Sequence, residues 1–124
     1  MAGKERYPAI ADYALISDSN STALVSRAGS IDWCCIQRLD SGSCFGRLLD
    51  WNKGGFCSIA PKEGILNSSR RYLEGTLVLE TTFEAQHGVA RLIDCYALPP
   101  DPKHPYRQIL RVVEGGTVTW SWRW

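Results

Sequence analysis

The chain has 124 residues, enough for one domain with a modest hydrophobic core and too few for two of ordinary size. Its 44% hydrophobic, 10% aromatic and 22% charged residues describe a globular chain rather than a disordered one. A formal net charge of +1 creates no long-range field for phosphate backbones or anionic lipid. No apolar run approaches the roughly 20 residues that span a bilayer, so neither nucleic acid nor membrane is an expected partner.

Residues 1–11 lack the apolar middle of a secretory signal, and a cytoplasmic location is expected. Tyr13 to Ile16 forms a short apolar run, ended by Ser17-Asp18-Ser19-Asn20-Ser21, a cluster whose side chains bond their own backbone and favour a turn. Thr22 to Ser26 and Ile31 to Ile36 then read as a hairpin around Arg27-Ala28-Gly29-Ser30, with Gly29 free to take positive φ. Cys44 to Leu49 has apolar positions at mixed spacing and is read as a single helical turn capped by Asp40 or Ser41. Gly54 to Ala60 is a strand closed by Pro61, which supplies no amide donor.

Asn20-Ser21-Thr22 and Asn67-Ser68-Ser69 read as polar turns. Tyr72 to Glu84 is expected to be one long strand, with Leu77, Leu79, Thr81 and Phe83 on its buried face. Gln86-His87-Gly88 turns the chain into a returning strand over Val89 to Tyr96. Leu98 to Pro105 carries four prolines and reads as an extended loop. Gln108 to Glu114 is another strand. The fold class is therefore all-β, an antiparallel β-sandwich with little helix and about seven to nine strands. Its expected core is Leu15, Leu24, Ile31, Trp33, Phe45, Leu77, Leu79, Phe83, Leu92, Ile93 and Ile109.

Chemistry-bearing residues are few. The five cysteines, Cys34, Cys35, Cys44, Cys57 and Cys95, include no C-x-x-C pair, and packed, reduced thiols are expected, with a disulfide or a metal site as the alternatives. Cys34 and Cys35 are expected on opposite faces of a strand. His87 and His104 are the two histidines, too few for a multi-histidine metal site, and no Gly-x-Ser-x-Gly elbow accompanies them. No metal and no cofactor is called for. Glycosidic hydrolysis needs two carboxyl groups about 5 to 10 Å apart across the bond. The candidates are Asp32, Asp40, Asp50, Glu80 and Asp94, of which Asp32, Asp40 and Asp94 are the ones retained. Carboxylates at alternate strand positions usually face solvent.

Three segments carry a family resemblance. They run from Asp12 to Asp18, from Ser30 to Asp50 and from Arg70 to Thr81. Together they make the chain resemble the amino-terminal domain of glycoside hydrolase family 15, the glucoamylase and trehalase group. The family's central loop reads Trp, two or three apolar residues, Pro-Arg-Phe-Asp-Ser-Pro-Ser, a variable residue, then Phe. Trp33, Arg38, Asp40, Ser41, Ser43 and Phe45 match it, while Gln37, Leu39 and Gly42 replace Pro, Phe and Pro, which relaxes the turn. The likeness covers about residues 7 to 115.

The resemblance implies a β-sandwich that precedes an (α/α)6 barrel holding the catalytic carboxylates. The first expectation is a non-catalytic accessory domain of an α-glucoside hydrolase. A small stand-alone glycoside hydrolase and a free carbohydrate-binding module are the alternatives, with an α-glucoside as the ligand. Trp33, Arg38, Asp40, Ser41 and Trp51 are the expected carbohydrate or interdomain contacts, and Arg38 and Asp40, two apart on an extended segment, are expected to pair. Residues 1–124 are taken as one partial domain, and residues 116–124 as an atypical tryptophan-rich tail reflecting a truncated or frame-shifted reading frame or an artificial boundary. That tail alternates apolar and polar side chains as a strand does. Self-association through an exposed strand edge and the tail is expected.

Overall fold

A computed structural model describes residues 7–36, 38, 40, 42–98, 101, 103, 107–115 and 117–123. Two antiparallel sheets make up the β-sandwich. The strands are β1 (Tyr13–Ser17), β2 (Thr22–Ser26), β3 (Ser30–Cys35), β4 (Ser43–Phe45), β5 (Cys57–Pro61), β6 (Asn67–Tyr72), β7 (Leu79–Ala85), β8 (Gly88–Ala97), β9 (Gln108–Glu114) and β10 (Trp120–Arg123). The first sheet is six-stranded in the order β1-β2-β3-β5-β10, with β4 pairing the far end of β3 beside β5. The second is the four-stranded meander β6-β7-β8-β9. A 3₁₀ turn over Ile10–Asp12 is the only helix among the described residues.

The expected hairpins form where the turn chemistry places them. Asp18 Oδ1 accepts from the amides of Asn20 and Ser21 and turns β1 into β2. Gly29, at φ 79°, turns β2 into β3, and a Cβ there would lie 2.2 Å from the Ile59 carbonyl oxygen, so only glycine fits. Pro61 ends β5 as expected.

Three elements differ from the expectation. Tyr72 to Glu84 is not one strand: β6 ends at Tyr72, a turn containing Gly75 at φ 70° follows, and β7 starts at Leu79. Asn67 to Ser69, read as a turn, is strand, paired with Thr82 to Glu84. Cys44 to Leu49 holds no helical turn, because β4 pairs with Cys34 and Cys35 through residues 43–45 before the chain turns.

The core lies between the sheets. Ile16, Ala23, Val25, Ile31, Cys34, Leu79 and Tyr96 form one cluster, and Ile59, Phe83 and Leu92 continue it. Of the expected core, Leu15 is 42% and Leu77 48% exposed, the first on an edge strand and the second in the turn before β7. Leu24, Trp33, Phe45, Ile93 and Ile109 are half-buried. Ile93 follows the inward Leu92 and so points to the other side of its sheet.

The phase of β3 explains Trp33. Val25 pairs with Ile31 but Leu24 pairs with Trp33, so Asp32 is an extra residue, a β-bulge. Ile31 and Cys34 therefore both enter the core, while Trp33 turns outward opposite Leu24. Cys35, on the face opposite Cys34, is buried as well.

Candidate functional site

The bulge residue Asp32 organises the outer face of the first sheet. Its side chain is buried, and it accepts 2.6 Å and 2.5 Å hydrogen bonds from the hydroxyls of Tyr13 and Ser30. Arg47 Nη1 lies 3.6 Å away, and the Leu48 amide donates to the Asp32 carbonyl at 3.3 Å. The Arg47 guanidinium sits 3.8 Å from the Trp51 ring centre and 4.0 Å from that of Phe56. Tyr7 meets Trp51 edge-on at 5.1 Å. Asp50 Oδ1 holds the turn that presents Trp51 by accepting from the amides of Asn52 and Lys53. Burial, the hydrogen bond to Asp32 and that carboxylate's charge together push the Tyr13 hydroxyl well above the ordinary tyrosine range.

Trp51 is therefore half-buried with Arg47 stacked on its ring rather than standing free in solvent. Arg38 and Asp40 pair as expected, Nε to Oδ1 at 2.9 Å and Nη2 to Oδ2 at 3.0 Å. The pair is not part of a buried turn. Its side chains are 76% and 71% exposed, and Gly42, Ser43 and Cys44 beyond it are exposed too. Ser41 lies outside the described residues, as does His104. His87 occupies its turn, 3.7 Å from Glu63. Among the described residues, no three His, Cys, Asp or Glu side chains gather as a metal site would require. The cysteines carry free thiols; Cys34 and Cys35 are packed, whereas Cys44 is exposed.

Asp94 corrects the expectation that strand carboxylates face solvent. It points between the sheets and is fully buried, with Arg111 Nε 2.7 Å from Oδ1 and Nη2 3.2 Å from Oδ2. The same guanidinium donates to the carbonyls of Cys57 and Gly29, each at 2.7 Å, and so joins β9 to the other sheet. Burial pushes the Asp94 carboxyl upward against the pull of Arg111. Burial also works against the Arg111 charge, but Asp94 more than offsets it and the guanidinium stays firmly protonated.

On the opposite side of the sandwich, Tyr72 Oη donates to the Leu15 carbonyl at 2.7 Å and accepts from the Leu15 amide at 3.2 Å. Arg70 reaches the carbonyls of Val25 and Ala11. These two side chains of β6 stitch the edge of the second sheet to the edge of the first. Sequence reading singled out Asp32, Asp40 and Asp94 but none of their partners across the chain, Tyr13, Arg47 and Arg111. A signal was present for Arg111, a lone cation in the apolar run Ile109-Leu110-Arg111-Val112-Val113, which a buried strand accommodates only beside a counter-charge.

The three carboxylates are thus not brought together as an acid and base. Both oxygens of Asp32 and of Asp94 are engaged, and Asp40 is paired at the surface. The sequence profile of the family described as "Trehalase-like, N-terminal" matches residues 1–120. The chain belongs to that family. This trehalase-like N-terminal domain is 42% identical over 94 residues to the trehalase of Mycolicibacterium smegmatis, covering 76% of the chain and 14% of that protein. It is 46% identical over 82 residues to the Mycobacterium tuberculosis trehalase, covering 66% and 12%. It is 33% identical over 113 residues to the trehalase of Thermoplasma volcanium, covering 89% and 18%. The chain thus spans less than a fifth of the length of these relatives. No solved structure matches it significantly. No helix among the described residues is long and apolar enough to cross a membrane.

Proposed function

We propose that this trehalase-like N-terminal domain is a non-catalytic accessory domain of an α-glucoside hydrolase of the trehalase or glucoamylase kind, in which a different domain performs hydrolysis. The observation that carries this reading is the engagement of its inner carboxylates. Asp32 and Asp94 hold strands together through Tyr13, Ser30, Arg47 and Arg111, so neither presents an oxygen to a substrate. Hydrolysis needs an acid and a base facing one glycosidic bond. The exposed Arg38–Asp40 pair and the following residues to Cys44 are the proposed contact face toward the hydrolytic domain or its sugar, because polar side chains held at a loop tip without burial are free to meet a partner.

Pure protein assayed on trehalose, maltooligosaccharides and aryl α-glucosides is expected to show no turnover. Turnover that Asp32→Asn, Asp40→Asn or Asp94→Asn abolishes would establish a stand-alone hydrolase instead. Calorimetry with the same sugars is expected to show no binding heat; a heat that Trp51→Ala removes would make the chain a sugar-binding module. Deleting the matching segment from the M. smegmatis trehalase is expected to cost that enzyme its folding or activity, and an unaffected remainder would remove the accessory role.

A further inference from the structure

The two sides of the sandwich are finished differently. At the β1–β6 side, Tyr72 and Arg70 occupy backbone groups of the neighbouring sheet and close the seam. At the other side, β9 ends the second sheet and β10 ends the first, and no strand among the described residues pairs with either outer edge. Between them lies a groove of about 400 Å³ lined by Ile36, Cys44, Ile109 and Trp122 among others. Leu110, Val112, Val113 and Trp122, all on these two strands, are large apolar side chains left exposed. An unpaired, apolar strand edge of this kind is a template for another strand.

We infer that the outer edge of β9 pairs with the β9 of a second copy of this chain, antiparallel about a two-fold axis at Arg111. The strand Gln108-Ile109-Leu110-Arg111-Val112-Val113-Glu114 is nearly symmetric in chemistry about its centre. In that register the inward Ile109 lies opposite the second copy's Val113, and the outward Leu110 opposite its Val112, so every apolar residue gains an apolar partner. Gln108 falls opposite Glu114, an amide donor against a carboxylate. The two Arg111 residues meet at the axis, but each is held by its own Asp94 at 2.7 Å and by two carbonyls of its own first sheet. The contact is isologous and closes at two copies. The tail is not exchanged to make it, since β10 pairs with β5 of its own chain, Trp120 opposite Pro61 and Trp122 opposite Ile59.

Light scattering across a concentration series of the full chain tests this. The mass of two chains is expected, with Leu110→Lys raising the dissociation constant ~10-fold or more by placing an ammonium in the apolar pair. Leu66→Lys, just before β6 on the stitched side, is expected to leave the dimer unchanged. Leu110 and Leu66 are exposed, and circular dichroism should show both variants folded. In a Cys44→Ser background, oxidising a mixture of Leu110→Cys and Val112→Cys chains is expected to cross-link more than either variant alone. A single-chain mass at every concentration, a dimer indifferent to Leu110→Lys, or equal cross-linking in the unmixed variants would overturn the proposal.

Discussion

Arg111 reaches out of β9 to three strangers in sequence: Asp94 on the neighbouring strand and the carbonyls of Gly29 and Cys57 in the opposite sheet, all within 2.7 Å. One guanidinium thus makes the contact between sheets dependent on the charge of one carboxylate. Removing either partner strands a buried charge. Asp94→Asn and Arg111→Met are each expected to lower unfolding free energy by about 3–5 kcal/mol. Urea denaturation reads this directly. The double variant Asp94→Leu/Arg111→Met is expected to cost less than the two single losses combined, and strict additivity would show that the residues do not act as a pair.

Gly29 and Gly64 both have positive φ, 79° and 93°, but only Gly29 has backbone against it. Gly64→Ala meets open space and is expected to cost about 1 kcal/mol from the dihedral alone. Gly29→Ala adds a collision with the Ile59 carbonyl and is expected to cost at least about 3 kcal/mol. Equal denaturation midpoints for the two variants would mean that the β2–β3 turn yields freely.

Tyr13→Phe keeps the ring and deletes the hydroxyl that donates to Asp32 at 2.6 Å. A hydrogen bond to a charged, buried acceptor contributes about 1.5–3 kcal/mol, and a loss in that range is expected on thermal or chemical unfolding. Stability within ~0.3 kcal/mol of the parent would show that Ser30 and Arg47 suffice for this carboxylate.

Alkaline pH exposes the same hydroxyl and that of Tyr96. Burial comes first in raising both, followed for Tyr13 by the hydrogen bond and charge of Asp32 and for Tyr96 by the hydrogen bond to Cys34. An unfolded tyrosine ionises near pH ~10, whereas these folded ones hold their protons higher. The unfolded chain is therefore the one that loses protons first. Stability from these groups is intact below about pH 10 and falls as pH rises beyond it. Tyrosinate absorbance during titration should show two residues ionising late or only with unfolding, and a single early wave for all five tyrosines would contradict it.

Thiol reactivity should follow the packing. Cys44 is exposed and expected to react with a thiol reagent under native conditions, while Cys34 and Cys35 wait for unfolding. Burial also raises the Cys34 thiol, leaving less of it as thiolate. Labelling sites located by mass spectrometry check the order; modification of Cys34 before Cys44 would place the β3–β4 segment differently.

Local chemistry made much of this fold legible. Gly29, Asp18 and Pro61 announce turns and strand ends in their own residue types, and β2, β3, β7, β8 and β9 carry apolar alternation. The pattern fails where a strand uses polar side chains to reach across the sandwich. In β6, Arg70 and Tyr72 are spent on the backbone of the other sheet, so Asn67 to Tyr72 has no apolar face to advertise it. Asp32 hides differently, since an inserted residue shifts the alternation after it and sends Trp33 out and Cys34 in. Asp94 was visible as a carboxylate but not as a buried one, because its burial depends on Arg111, a partner no short window contains.

The two sheets also set an order of assembly. The second sheet is a chain-order meander, β6 to β7 to β8 to β9, built from neighbours in sequence. In the first sheet β10 comes from the far end of the chain to join β5. Loop-closure entropy grows with the chain between partners, so the meander has the lower barrier and the β5–β10 ladder closes afterwards. Destabilising β7 or β8 should then slow folding, whereas Trp120→Ala should chiefly hasten unfolding. A polypeptide arrested before the last strand docks would hold the meander complete while Phe83 still lacks the tryptophan that covers it.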